Sequence, residues 1–282
     1  MIKSGAAYTL YALLLTGLFL YFLFPADAVE RFLVNRFKRN VPGAELIIGE
    51  VRPALPPGLV MTPVGVVRAD APLVRLDRLR VTPALLSLIG DRPTADVSVR
   101  AFGGRLDGTV SLVRTNGGAR AQAAEAAFDG LDLSEVDALE LLSPHPVTGR
   151  LSGEARYDGG DGSALLTVTD GGVTFQEPLF NVDSLHFARI EARLRIAGGR
   201  TLTLEECTLT GNQVGGALSG TLTLDRPLES SVLNLEGELR PHPALIASLG
   251  EGAAMLLRQN RGQNAIPFSI RGPIGSPRFS LN

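Results

Sequence analysis

The sequence predicts a mainly β protein: an N-terminal transmembrane helix and an amphipathic helix lead into a curled antiparallel β-sheet, a groove or open barrel with a few short capping helices. Three observations carry this expectation. Ser4 to Phe24 is an unbroken uncharged run. Val29, Phe32, Leu33 and Phe37 recur at helical spacing. From Glu45 onward apolar and polar residues alternate with period two between glycine-rich breaks. Side chains alternate sides along a strand, so strands with one apolar and one polar face belong to antiparallel sheet.

The first element is a membrane anchor over residues 1–25, with Gly5, Leu14, Leu20 and Phe24 along its run. About 20 apolar residues at about 1.5 Å each cross the roughly 30 Å hydrocarbon core of a bilayer as one helix. Pro25 ends it. A cleaved signal peptide is the alternative, because Ala26-Asp27-Ala28 offers small residues at peptidase spacing. The apolar run is longer than the usual 7–15 residues of such a leader, and Lys3 is its only basic side chain, which favours the retained anchor. No cysteine follows the run as in a lipoprotein. Arg31, Arg36, Lys38 and Arg39 lie just beyond it, so a plain charge count puts the C-terminal side in the cytoplasm. Long domains translocate largely regardless of charge, and the residues alone leave orientation open.

Residues 26–42 form the amphipathic helix, stopped by Val41-Pro42-Gly43. Its basic residues suit anionic headgroups, and its apolar stripe equally suits one end of the β domain that follows. Residues 43–282 form that domain. Val97 and Val99 share a strand face, as do Leu106 and Val110, Leu166 and Val168, Leu194 and Ile196, Leu222 and Leu224, and Leu233 and Leu235. These are the candidate groove-lining residues. Gly103-Gly104, Asp158 to Gly162, Gly171-Gly172 and Gly198-Gly199 read as tight turns. Short helices are expected over Ala84–Ile89, with Thr82 as cap and Pro83 as first residue, over Glu135–Leu142 behind Ser134, and after Pro243. A Gly-x-Leu-x-Gly unit recurs at Gly104–Gly108, Gly149–Gly153 and Gly216–Gly220. Glycine within a strand marks a bend or close backbone approach, so the repeat favours a sheet that curls.

Composition excludes more than it identifies. With 27 basic and 29 acidic residues the net charge is −2, and no basic excess points to nucleic acid. The single Cys207 cannot form an internal disulfide and, within the strand-like stretch Thr201 to Thr210, reads as a small buried hydrophobe. His145 and His242 sit in Pro-flanked turns and His186 stands alone in a strand, so no metal-ligand spacing exists. No nucleophile elbow or phosphate loop appears. The residues argue against an enzyme and against any cofactor.

Several segments resemble a known family: Leu46-Ile-Ile-Gly-Glu-Val51, Pro57-Gly58-Leu59-Val60, Leu79-Arg-Val-Thr-Pro-Ala-Leu-Leu86, and the closing Gly272-Pro-Ile-Gly-Ser-Pro-Arg-Phe279, together with Phe24-Pro25. The chain resembles the AsmA-like envelope proteins, most closely the type II secretion system protein N family. The resemblance implies a single-pass bacterial inner-membrane protein with its C-terminal domain in the periplasm, against the plain charge count. It implies a non-enzymatic role in protein export, with inner-membrane lipid and other secretion-apparatus proteins as partners. The wider group also implies the alternative of a lipid-binding or lipid-transfer protein with phospholipid in an apolar β-groove.

Overall fold

Period-two alternation is realised as antiparallel strands that pair mostly with their neighbours in sequence. The computed structural model describes residues 8, 11, 15, 22–41, 43–68, 71–115, 118–137, 139, 145–179, 182–225, 230–243 and 265–281. The fold is mainly β, and the chain divides into two units, Met1–Pro83 and Ala84–Asn282.

Of the expected anchor residues, Gly5, Leu14 and Leu20 lie outside the described residues. Tyr8, Tyr11, Leu15 and Phe22 are helical and exposed. No helix among the described residues is long and apolar enough to cross a membrane.

The first unit holds α1 (Ala26–Asn40), β1 (Ala44–Ala54), β2 (Gly58–Arg68), β3 (Ala71–Leu76) and β4 (Arg78–Pro83). β2 pairs antiparallel with β1, β3 and β4. Its buried core is Ile48, Val51, Met61 and Val64, and Phe24 with Val29, Leu33 and Val34 of α1 packs against it. The amphipathic helix therefore packs its apolar stripe against the core residues of β1 and β2 in this unit. Phe32, expected on the apolar stripe, is 63% exposed; at about 100° per residue it lies to one side of the Val29–Leu33 line. Lys38 and Arg39 fall in the last turn, where cations complement the helix dipole.

The second unit is a meander of β5 (Thr94–Ala101), β6 (Gly104–Thr115), β7 (Gly118–Asp132), β8 (Val147–Asp158), β9 (Asp161–Leu179), β10 (Val182–Ala197), β11 (Thr201–Thr210), β12 (Val214–Thr223), β13 (Val232–Pro241), β14 (Ile266–Pro273) and β15 (Arg278–Leu281). Each strand pairs antiparallel with the one before it, and β15 does not close back onto β5. One end carries a small core in which Phe187 and Val214 are buried among Leu185, Ile190, Leu209 and Leu239.

The short helices differ from expectation. Thr82 and Pro83 end β4, and a 3-10 turn occupies Leu85–Ile89. Five residues cannot repay α-helix nucleation, and Ser87 instead ties the turn to β5, accepting from the Thr94 amide at 2.8 Å. Leu86 and Ile89 project into solvent. A second 3-10 turn covers Leu133–Glu135; its cap is Asp132, which accepts from the Ser134 amide at 2.9 Å. Asp137 and Leu139 are helical, and the remainder of both later helix candidates lies outside the described residues. Gly171-Gly172 is not a turn but the buried interior of β9. A side chain on Gly172 would stand 2.6 Å from Thr148 Oγ1, so glycine is there for space.

The Gly-x-Leu-x-Gly units mark close approaches between strands. A Cβ on Gly108, Gly153 or Gly220 would sit 2.4, 2.2 or 2.2 Å from the carbonyl oxygen of Glu125, Leu165 or Asn234. Gly220 also has φ of +147°, a conformation that residues with side chains avoid. Gly220→Ala should cost on the order of 2–4 kcal/mol of stability, read by denaturant unfolding. Gly90→Ala, whose Cβ would meet nothing closer than 3.6 Å, should stay within about 0.5 kcal/mol. In the first unit, Met61→Ala should cost about 2–5 kcal/mol by emptying its core.

Candidate functional site

Strand register gathers the apolar residues of the second unit onto one face. One row across the strands reads Val99, Leu106, Phe128, Gly153, Leu166, Ala192, Cys207, Leu218, Gly237, Phe268, each opposite the next. The row beside it reads Val97, Gly108, Ala126, Ala155, Ala164, Leu194, Leu204, Gly220, Leu235, Ile270, Phe279. A third runs from Ala95 and Val110 through Ala124, Tyr157, Gly162, Ile196, Leu202 and Leu222 to Leu233 and Gly272. A fourth joins Leu131, Leu151, Val168, Ile190, Leu209, Gly216, Leu239 and Ile266. No charged residue enters any of the four.

Same-face neighbours along a strand lie about 6.7 Å apart and strands about 4.8 Å apart. The band is therefore roughly 20 Å wide and, measured along the sheet from β5 to β15, on the order of 50 Å long. Among the described residues the substantial contacts of these strands are with their sheet neighbours, not with a covering layer.

Eleven of the twelve predicted lining residues sit in these rows: Val97, Val99, Leu106, Val110, Leu166, Val168, Leu194, Ile196, Leu222, Leu233 and Leu235. The twelfth, Leu224, lies just beyond β12, where its amide donates to the Arg200 carbonyl at 2.8 Å. All twelve are half-buried, and none is fully enclosed. Sequence periodicity missed β7 and, though Thr201 to Thr210 reads as strand-like, did not show which residues of β11 face inward. β7 has alanine on both sides (Ala123, Ala124, Ala126, Ala127), which hides alternation. β11 has a bulge after Leu204, where Leu194 faces Leu204 but Arg193 faces Glu206, and the bulge shifts Cys207 and Leu209 into phase with the rows.

The opposite face is polar and carries exposed ion pairs across neighbouring strands. Arg156 lies 3.9 Å from Glu125, Arg193 3.8 Å from Glu206, Arg195 3.0 Å from Glu205 and Arg271 2.7 Å from Glu236. Exposed pairs add little stability; alternating sign keeps the face soluble and in register. Hydrogen bonds from Ser98 and Arg105 hold the Asp107 carboxyl below the usual carboxylate range, and hydrogen bonds from Ser134 do the same for Asp132. Among the described residues no group of three His, Cys, Asp or Glu could hold a metal ion.

Cys207 is buried within the first row, and desolvation pushes its thiol pKa up. Thiolate is the reactive form, so iodoacetamide at neutral pH should modify folded protein slowly, and modification should be at least on the order of tenfold faster in denaturant, as followed by intact mass.

Comparison with protein-family models, curated proteins and solved structures gives no match to this chain.

Proposed function

We propose that the chain is a non-enzymatic lipid-handling protein whose β5–β15 face holds the acyl chains of phospholipid, with the N-terminal apolar run keeping it at a membrane. The observation that carries this reading is the apolar, uncharged character of the four rows from strand to strand. An uncovered apolar surface far above a few hundred Å² is a binding surface in a soluble domain. A protein partner needs polar positions to fix its register and orientation, and these rows offer little beyond the Tyr157 hydroxyl. Acyl chains need none.

Two further features support it. The lining residues are half-buried although the described residues provide no covering layer, as expected when neighbours on a concave face shield one another. Glycines of the recurring unit fall on this same face, at Gly108, Gly153, Gly216 and Gly220, where missing side chains allow the sheet to bend toward it. The curled groove is part of this proposal. So is the placement of a single-pass protein in a bacterial inner membrane with its β domain in the periplasm, which rests on the resemblance noted above. A role in type II secretion rests on the resemblance alone, and no feature of the sheet singles out a protein partner.

Native mass spectrometry of the full chain released from detergent micelles tests the reading, alongside phospholipid extraction. Wild type should carry phospholipid. Leu194→Asp with Leu222→Asp puts two charges on the face and should cut bound lipid by roughly fivefold or more, in protein whose circular dichroism is unchanged. A lipid-free wild type, or equal lipid in the variant, overturns the proposal.

A further inference from the structure

The first unit gathers arginines on the sheet face away from its apolar core. Register sets Arg52 opposite Val60 and Val60 opposite Arg80, while Leu79 and Val81 of β4 turn toward the core. Arg52, Arg78 and Arg80, with Thr62, Val60 and Leu55, line a recess of about 260 Å3 with no carboxylate among its lining residues. Arg80 Nη2 donates to the Leu55 carbonyl at 2.7 Å, which orients its guanidinium. Arg52 is ion-paired with Glu50. Arg78 makes no hydrogen bond or ion pair among the described residues.

Three guanidiniums around one recess, with Glu50 offsetting one of them, leave it cationic. Guanidinium forks match phosphate oxygens bidentately, and Thr62 adds a hydroxyl. The volume is below the roughly 300–1,000 Å3 of pockets that enclose drug-sized ligands, so it takes a headgroup and not an acyl chain. Leu55, at the tip of the β1–β2 hairpin beside the recess, is 75% exposed. A free phosphate ion has no use for that apolar side chain, whereas the glyceride end of a lipid does.

We propose that this recess binds the phosphate of an anionic phospholipid headgroup. The assignment goes beyond the acyl-chain reading of β5–β15 and does not depend on it. Isothermal titration calorimetry of the full chain in a non-ionic maltoside micelle, with dihexanoyl-phosphatidylglycerol as probe, tests it. Wild type should show saturable binding, and R78Q should weaken it by about tenfold or more, with R78K between the two. Arg78 has no hydrogen-bond or ion-pair partner among the described residues to lose, so R78Q keeps the fold, which circular dichroism checks. In a background carrying Leu194→Asp with Leu222→Asp, which removes acyl-chain binding at β5–β15, the remaining binding should still be saturable and R78Q should weaken it by about the same factor, which separates failure here from failure of the acyl-chain reading. Equal binding by R78Q and wild type overturns the proposal, as does inorganic phosphate binding as tightly as the lipid.

Discussion

Antiparallel register is the constraint on which the second unit depends. Most strands alternate apolar and polar residues, and pairing aligns those alternations so that most of the large apolar side chains land on one face. A slip of one residue between central strands such as β9 and β10 would turn a strand's apolar set to the polar face and break all four rows. Burial on one side thus fixes pairing on both. Cross-strand ion pairs such as Arg271 with Glu236 add a weaker preference for the same register from the polar side.

The two units use their apolar surface differently. In the first, α1 lays Val29, Leu33 and Val34 over Ile48, Val51, Met61 and Val64, and these four are buried in an ordinary core. In the second, the predicted lining residues remain half-buried, and among the described residues enclosed apolar side chains are few: Ala101, Phe187, Cys207, Val214 and Phe268. That partly enclosed apolar surface is what the proposed lipid-binding role draws on.

Glycine placement links backbone to surface. At Gly108, Gly153 and Gly220 the neighbouring strand's carbonyl occupies the space that a side chain would take. The same positions interrupt the apolar rows with gaps instead of polar groups, so the band stays continuous while its strands approach closely. In the first unit, Arg78 and Arg80 share β4 with Leu79 and Val81; alternation there exposes charge on one face while anchoring the strand by the other.

Sequence alone determined the class of structure: a mainly β chain, the helix from Ala26 to Asn40, the antiparallel order and eleven of the twelve face positions, because each is a local pattern of period two or of helical spacing. It could not supply β7, whose alanines carry no contrast between faces, or the inward phase of β11, whose bulge after Leu204 becomes legible only against β10. Gly171-Gly172 looks like a turn until Thr148 on the adjacent strand is seen filling the space beside it. The arginine recess draws on three strands separated in the chain, and no local pattern announces it. Periodicity is written residue by residue, whereas register, close approach and convergence are relations between segments, and only the tertiary structure decided them.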